Sequence, residues 1–290
     1  MKILITGANG QLGNELKLLG KKFPDYQLAY TDIDELDITD MQAVSAYFDK
    51  MQPDVVVNCA GYTAVDKAEQ EPDLALKINA LAVRNLSNAC GEFNALFIHI
   101  STDYIFNGKS CRPYVETDTP APASSYGKSK YAGETQMQSS CRNGIILRTS
   151  WLYSATGNNF VKTILKYGKE RGNLNVVYDQ VGCPTYAKDL AAAILEILPE
   201  LKDHEGVEIF HYANEGVASW FDFAKAIVEF SGIKCLIHPI ETRDYPLPAI
   251  RPFYSVLNKG KFKSRFGLEI PYWKDSLEEC IKRLNSEAAK

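Results

Sequence analysis

The chain has 290 residues, a net charge of −4 and 46% hydrophobic residues. That is enough apolar material for one large domain or two unequal ones, and with no Lys/Arg block neither nucleic acid nor an anionic membrane is expected as a partner. No apolar run has the length of a membrane span; the 7 cysteines are scattered without a C-x-x-C pair and the 4 histidines lack ligand spacing, so a cytoplasmic chain with reduced thiols and no leader or metal centre is expected.

Ile3-Leu4-Ile5-Thr6 is a β-branched apolar run suited to a buried parallel strand. Gly7, Gly10 and Gly13 follow at G-x-x-G-x-x-G spacing, with Gln11 and Leu12 between the last two, and helical character begins at Asn14. Strand, glycine turn and helix form the context of a dinucleotide site. The turn lets the backbone approach a pyrophosphate lying at the positive end of the helix. Gln27 to Asp32 reads as a second strand ending in an acid. Asp32 stands near the ~20-residue spacing at which a carboxylate takes the ribose hydroxyls, and its charge favours NAD over NADP. A helix through Val44 and Phe48 starts after Leu36, with Thr39 or Asp40 as its N-cap.

Pro53 to Gly61 forms another buried strand, ending in small residues that a flat ring or pyrophosphate can pass closely. Ala75 to Leu86 has helical periodicity, and Asn79 within it reads as a solvated or backbone-bonded amide. Leu96 to Ile100 is a strand with His99 in its core, ending in Ser101-Thr102-Asp103-Tyr104. Polar residues at the carboxyl end of a strand are where open α/β sheets bind ligands. The Thr102 hydroxyl there can donate to a carbonyl oxygen. Pro113, Pro120 and Pro122 restrict the next loop, leaving Ser124 or Ser125 to cap the helix that carries Tyr126 and Lys130. Those two residues, four apart, share one helix face. Lowering a phenol from ~10 to ~7 takes about 4 kcal/mol, which a close cation in a poorly solvated cleft can largely supply.

Ile145 to Ser150 is a further strand, running into Trp151. The first half thus alternates strand and helix, the signature of an α/β doubly wound parallel sheet of Rossmann type. The alternation loosens after Trp151. Residues 1–150 are expected to form the dinucleotide-binding domain, with 173–200 (a strand near Asn173 to Tyr178 and a helix from Lys188) completing its sheet. Residues 151–172 and 201–290, including a short strand at Ile209 to Ala213 and a helix capped by Ser219, are expected to form a smaller, discontinuous substrate-binding lobe. Arg251, in a proline-rich stretch, suits either a nucleotide diphosphate or a structural salt bridge.

Taken together these stretches resemble the extended short-chain dehydrogenase/reductases, and more narrowly the dTDP-4-dehydrorhamnose reductases. Tyr126-x-x-x-Lys130 and the glycine loop are shared across the superfamily. Ser101-Thr102-Asp103-Tyr104 and Asp179-Gln180-Val181-Gly182-Cys183-Pro184-Thr185 are more specific. The resemblance implies Thr102, Tyr126 and Lys130 as the catalytic set. It places Gly10, Gln11 and Leu12 at the pyrophosphate of NADH or NADPH, Asp32 at the ribose, and Asp37 and Ile38 at the adenine. Gly61, Tyr62 and Thr63 would run toward the nicotinamide, and Asp103, Tyr104 and Trp151 would face the sugar of a dTDP-sugar substrate. Some members of the family dimerise through magnesium held by acidic residues. Glu15 fits that pattern, whereas Lys188-Asp189 departs from it, which puts a magnesium-linked homodimer in doubt. Two other readings are an epimerase or 4,6-dehydratase of the same fold and a non-catalytic nucleotide-binding regulatory subunit. Dehydratases carry an Asp-Glu pair after the threonine, and here Tyr104 follows Asp103.

Overall fold

The computed structural model describes residues 1–288, so the last two positions of the expected 201–290 lobe lie outside the described residues. The chain runs β1 (Lys2–Thr6), α1 (Gln11–Leu19), β2 (Gln27–Thr31), α2 (Met41–Met51) and β3 (Val55–Asn58). Three helices follow, α3 (Val65–Ala68), α4 (Pro72–Leu76) and α5 (Ala82–Glu92), then β4 (Leu96–Thr102), α6 (Ser125–Ser140) and β5 (Asn143–Thr149). After the two-residue β6 (Leu152–Tyr153) come α7 (Phe160–Arg171), β7 (Asn173–Val177), two more short strands, β8 (Val181–Gly182) and β9 (Thr185–Tyr186), and α8 (Ala187–Ile197). The remainder is β10 (Gly206–His211), β11 (Ala218–Ser219), α9 (Trp220–Ser231), β12 (Leu236–Ile240), α10 (Gly260–Phe266) and α11 (Trp273–Ala288).

Six strands form one parallel sheet in the order β10-β5-β4-β3-β1-β2. Chain direction across it reverses at β1, which pairs with β2 on one side and β3 on the other; this is the switch point at which open α/β sheets bind ligands. The period-2 alternation of the strands divides the core. Ile3, Ile5, Val57 and Ile98 face α1 and α8 with Leu12, Leu16, Leu190 and Ile194. Leu4, Val56, Phe97 and Ile146 face α2, α5 and α6 with Phe48, Leu86 and Met137. Both faces are covered, which is why these strands read as continuous apolar runs.

The second core belongs to the smaller lobe, where Val161, Ile164, Val176, Phe223, Ile227, Trp273 and Leu277 pack together. Two expectations are corrected here. The strand expected to complete the sheet from 173–200, now β7, pairs with β12 in a separate two-stranded ribbon. The sixth sheet strand is instead β10, from the range assigned to the lobe. The physical reason lies in burial: β7 alternates exposed Asn173 and Asn175 with apolar Leu174 and Val176 that turn into the lobe core, which suits a ribbon with one wet face. β10 delivers Phe210 fully buried into the main core and buries His211 fully against Phe106. Only α8 of the 173–200 range joins the sheet layers.

Candidate active site

The N-cap of α1 is Gly10, which has no side chain to satisfy the first-turn amides. Those N–H groups therefore stay available to an anion. Gly7 turns the chain at φ +67°, and a Cβ there would lie 2.5 Å from the Ala60 amide nitrogen, so the loops after β1 and β3 touch backbone to backbone. Asp32, just past β2, holds this loop by accepting from Asn9 N at 2.9 Å. Gln11 turns its side chain away toward the lobe, accepting from Asn159 Nδ2 at 2.9 Å. Leu12 and Ile38 bury theirs in the two sheet cores. Asp37 Oδ1 accepts from Thr39 N at 2.8 Å, and Asp40, one of the two candidate caps, caps α2. The close loops, bare helix start and positioned acid fit a dinucleotide.

Beneath the switch point a polar rung crosses three strands. Thr6 Oγ1 donates to Asn58 Oδ1 at 2.7 Å, and Asn58 Nδ2 meets His99 Nδ1 at 3.1 Å. His99 is thus the expected strand-core histidine. Asn79 is backbone-bonded but neither solvated nor incidental. It lies in a π-helical turn, Lys77–Leu81, between α4 and α5. Its amide accepts from Tyr62 N at 2.9 Å, donates to Tyr62 O at 3.0 Å, and donates to Ser129 Oγ at 2.9 Å. It therefore pins the Gly61-Tyr62-Thr63 loop to α6. Gly133 makes room for this turn, since a Cβ there would stand 2.0 Å from the Asn79 carbonyl oxygen. A π-turn at such a junction is a common mark of a functional site, and the sequence reading missed it because one residue of altered pitch leaves no periodicity signal.

Thr102 ends β4, and Ser124, one of the two candidate caps, starts α6 by accepting from Gly127 N at 3.1 Å. This brings Tyr126 and Lys130 to the carboxyl end of β4. The buried Thr102 hydroxyl donates to Asp103 Oδ1 at 3.1 Å and accepts from Tyr104 N at 3.2 Å. Tyr104 packs edge-on against Tyr126 with ring centroids 5.5 Å apart. Lys130 Nζ donates to the Ile100 carbonyl at 2.5 Å and stands 3.8 Å from where a Gly61 Cβ would be.

The electrostatics depart from expectation. Burial pushes the Tyr126 phenol up to about 12, with the nearby Thr102 hydroxyl pulling it down and the Asp103 charge pushing it up. Burial pulls the Lys130 ammonium down to about 8, with Glu134 and Cys59 opposing. The lowered phenol expected from the Tyr-Lys spacing is absent because the amine is directed at the Ile100 carbonyl. Tyr126 is therefore a protonated donor at neutral pH, the form a reduction requires. Burial also raises Asp103 to about 6, while the hydrogen bond from Thr102 holds it down.

A cleft of about 1010 Å³ opens beside this group, lined by Tyr104 and Asp66 from the sheet domain and by Phe160, Tyr167, Trp220 and Arg251 from the lobe. Trp151, held at φ +47°, does not line the cleft directly. Its indole stacks flat on Trp220 with centroids 3.5 Å apart, so Trp220 presents the surface. Phe160, Tyr167 and Trp220 were not singled out in the sequence; aromatic residues on amphipathic helices carry no signal that separates a core from a cleft wall. Arg251 takes the salt-bridge alternative, donating to Asp66 at 3.0 and 2.7 Å. Glu15 is engaged by Arg283 Nη1 at 2.9 and 2.8 Å. Among the described residues no three His, Cys, Asp or Glu side chains are grouped to hold a metal, and no helix is long and apolar enough to cross a membrane.

The model of the RmlD substrate binding domain family matches residues 1–286. The dTDP-4-dehydrorhamnose reductase of Aggregatibacter actinomycetemcomitans is 40% identical over 285 residues, 96% of this chain and 97% of that one. The crystal structure of a dTDP-4-dehydrorhamnose reductase from Clostridium acetobutylicum superposes with a TM-score of 0.93 at 45% identity, covering 98% of this chain and 100% of that chain. The reductase of Bacillus anthracis, solved in complex with NADP, gives 0.92 at 39% identity over 97% of this chain and 99% of that chain. With nearly the whole length matched, this chain belongs to the dTDP-4-dehydrorhamnose reductase family.

Proposed function

We propose that this protein reduces the C4 keto group of dTDP-4-dehydrorhamnose, giving dTDP-L-rhamnose, with NADH or NADPH as reductant. The observation that carries this reading is the meeting of Thr102, Tyr126 and Lys130 at the carboxyl end of β4, beside the Gly61 loop. The nicotinamide cofactor, when bound, supplies the hydride that reaches the sugar C4. As negative charge grows on the ketone oxygen, Tyr126 hands it the phenolic proton and Thr102 donates a hydrogen bond to it. Lys130, aimed between the Ile100 carbonyl and the Gly61 loop, would hold the nicotinamide ribose, and solvent returns the proton to Tyr126 after transfer.

In this reading Gly7, Gly10, Gln11, Leu12 and Gly13 receive the pyrophosphate, Asp32 the adenosine ribose, and Asp37 and Ile38 flank the adenine. Gly61, Tyr62 and Thr63 lie along the nicotinamide half. Asp103, Tyr104 and Trp151 face the sugar, Trp151 through its stack on Trp220. The lobe of α7, α9 and α11 forms the substrate side of the cleft. The seven free cysteines suit a cytoplasmic protein. Elimination of water would require a second acid where Tyr104 stands, which disfavours a dehydratase. The test is loss of reduced-nicotinamide absorbance on adding dTDP-4-dehydrorhamnose. Turnover that disappears in Tyr126→Phe supports the reading, and a wild-type protein that binds cofactor yet never turns over overturns it.

A further inference from the structure

Lys130 and Glu134 stand four residues apart on α6 and both reach consecutive residues of β4. Lys130 Nζ donates to Ile100 O, and Ser101 Oγ donates to Glu134 Oε1 at 2.5 Å. Arg148, beside Ser101 in the β4–β5 register, donates Nε to Glu134 Oε1 at 2.9 Å and Nη2 to Oε2 at 2.7 Å. Glu134 is 0% exposed and Arg148 1%, with Lys130 at 5%. A buried ion pair is a poor device for stability alone, because desolvating two charges offsets most of their attraction. This pair sits one helical turn from an amine that burial drives toward neutrality.

Resting on the reductase reading, we propose that Glu134 is a positioning residue for the reduction: its carboxylate, clamped by Arg148 and Ser101, is the counter-charge that keeps the Lys130 ammonium charged and aimed between Ile100 and the Gly61 loop. Among the surrounding groups, Glu134 and Cys59 are the ones that act to raise the Lys130 amine. From β3, the Cys59 thiol is kept protonated by burial. From β4, burial keeps His99 neutral. Tyr126, on α6 itself, is protonated at neutral pH, and Arg148 on β5 has the same sign as Lys130. In the turn after β4, the Asp103 carboxyl accepts from Thr102. Just after α3, Glu69 is taken by Ser125 N and Oγ, each at 2.8 Å. Lys77 and Arg84 on the π-turn and α5 are exposed.

The test titrates the ligand-free, full-length protein labelled with ¹³Cε-lysine, the Lys130 resonance being identified by its loss in Lys130→Met. In the wild type the midpoint is expected at about 8. In Glu134→Gln it should fall by about one unit or more, a tenfold or greater loss of proton affinity. The alkaline limb of the kcat/KM profile should move with it, while activity on the acid side recovers. Glu134→Gln combined with Arg148→Met removes both buried charges; it should keep the acid shift and decides the matter if the single variant does not fold. A midpoint unmoved in either folded variant overturns the proposal, as does a wild-type midpoint below about 7, the pH at which the ammonium is needed. The titration contains no sugar, so a wild type that fails to reduce dTDP-4-dehydrorhamnose overturns the reductase reading by a separate measurement.

Discussion

Two arginine–carboxylate pairs flank the site, each with two guanidinium bonds and a shortest contact of 2.7 Å, yet they stand in opposite surroundings. Arg148 and Glu134 lie inside the sheet domain with side chains 2% and 0% exposed. Arg251 and Asp66 lie on the cleft wall at 19% and 36%, joining the lobe to the short helix α3. The inner pair has little water to fall back on, so losing one partner strands the other. The outer pair is partly solvated, so losing one partner should cost less. Similar geometry therefore stands in two settings: a buried support beneath α6, and a partly exposed contact on the cleft wall.

The sharpest break with that picture is Tyr126→Phe, which should lower kcat by about 10²–10⁴-fold by removing the proton donor, read from cofactor absorbance, with the fold intact by circular dichroism. Next comes Arg148→Ala, which leaves the Glu134 carboxylate buried and unpaired. It should cost about 3–5 kcal/mol of unfolding free energy in urea, whereas a value near zero would make the inner pair no different from the outer one. Thr102→Val removes the second donor to the developing oxyanion and should lower kcat by about 10²–10³-fold, with a loss of about 1–3 kcal/mol in stability because Asp103 and Tyr104 N lose a buried partner. The smallest effect is expected for Arg251→Ala, about 1 kcal/mol or less in stability, with the change in kinetics confined to KM for the sugar.

The outer pair also carries a pH signature. Arg251 holds the Asp66 carboxyl below its ordinary range by hydrogen bonding. A carboxylate lowered in the folded state contributes stability above the ordinary carboxylate pKa of ~3.9, and loses it as pH falls through the lowered value. The small gap between wild type and Arg251→Ala should therefore be present at neutral pH and close in acid below about pH 4, as thermal melts across that range would show.

Much of the site was legible in the chain because its signals are short-range. The glycine turn behind Ile3-Leu4-Ile5-Thr6, the polar end of the Leu96–Thr102 strand and the Tyr126/Lys130 helix face each declare themselves within a few residues. Three features did not. The Glu134–Arg148 pair joins residues whose separation matches no local rule, and only the packing of α6 on β4 and β5 brings them together. The exchange of β7 for β10 in the sheet depended on which short strand could be buried more fully. The cleft wall of Phe160, Tyr167 and Trp220 exists only once the lobe folds back over the strand ends.

By itself the sequence determined the alternation of strands and helices in the first half, the cap candidates, the glycine turn and the residue types of the reactive group. All of these follow from backbone sterics and side-chain periodicity, which act over a turn or two of chain. Tertiary structure alone decided the charges. Whether the Tyr126 phenol rises or falls, and whether the Lys130 amine stays charged, depends on how much water the packed elements remove and which dipole the amine finds. Solvation and Coulomb interactions sum over everything nearby in space, so a spacing of four residues names the partners without setting the sign.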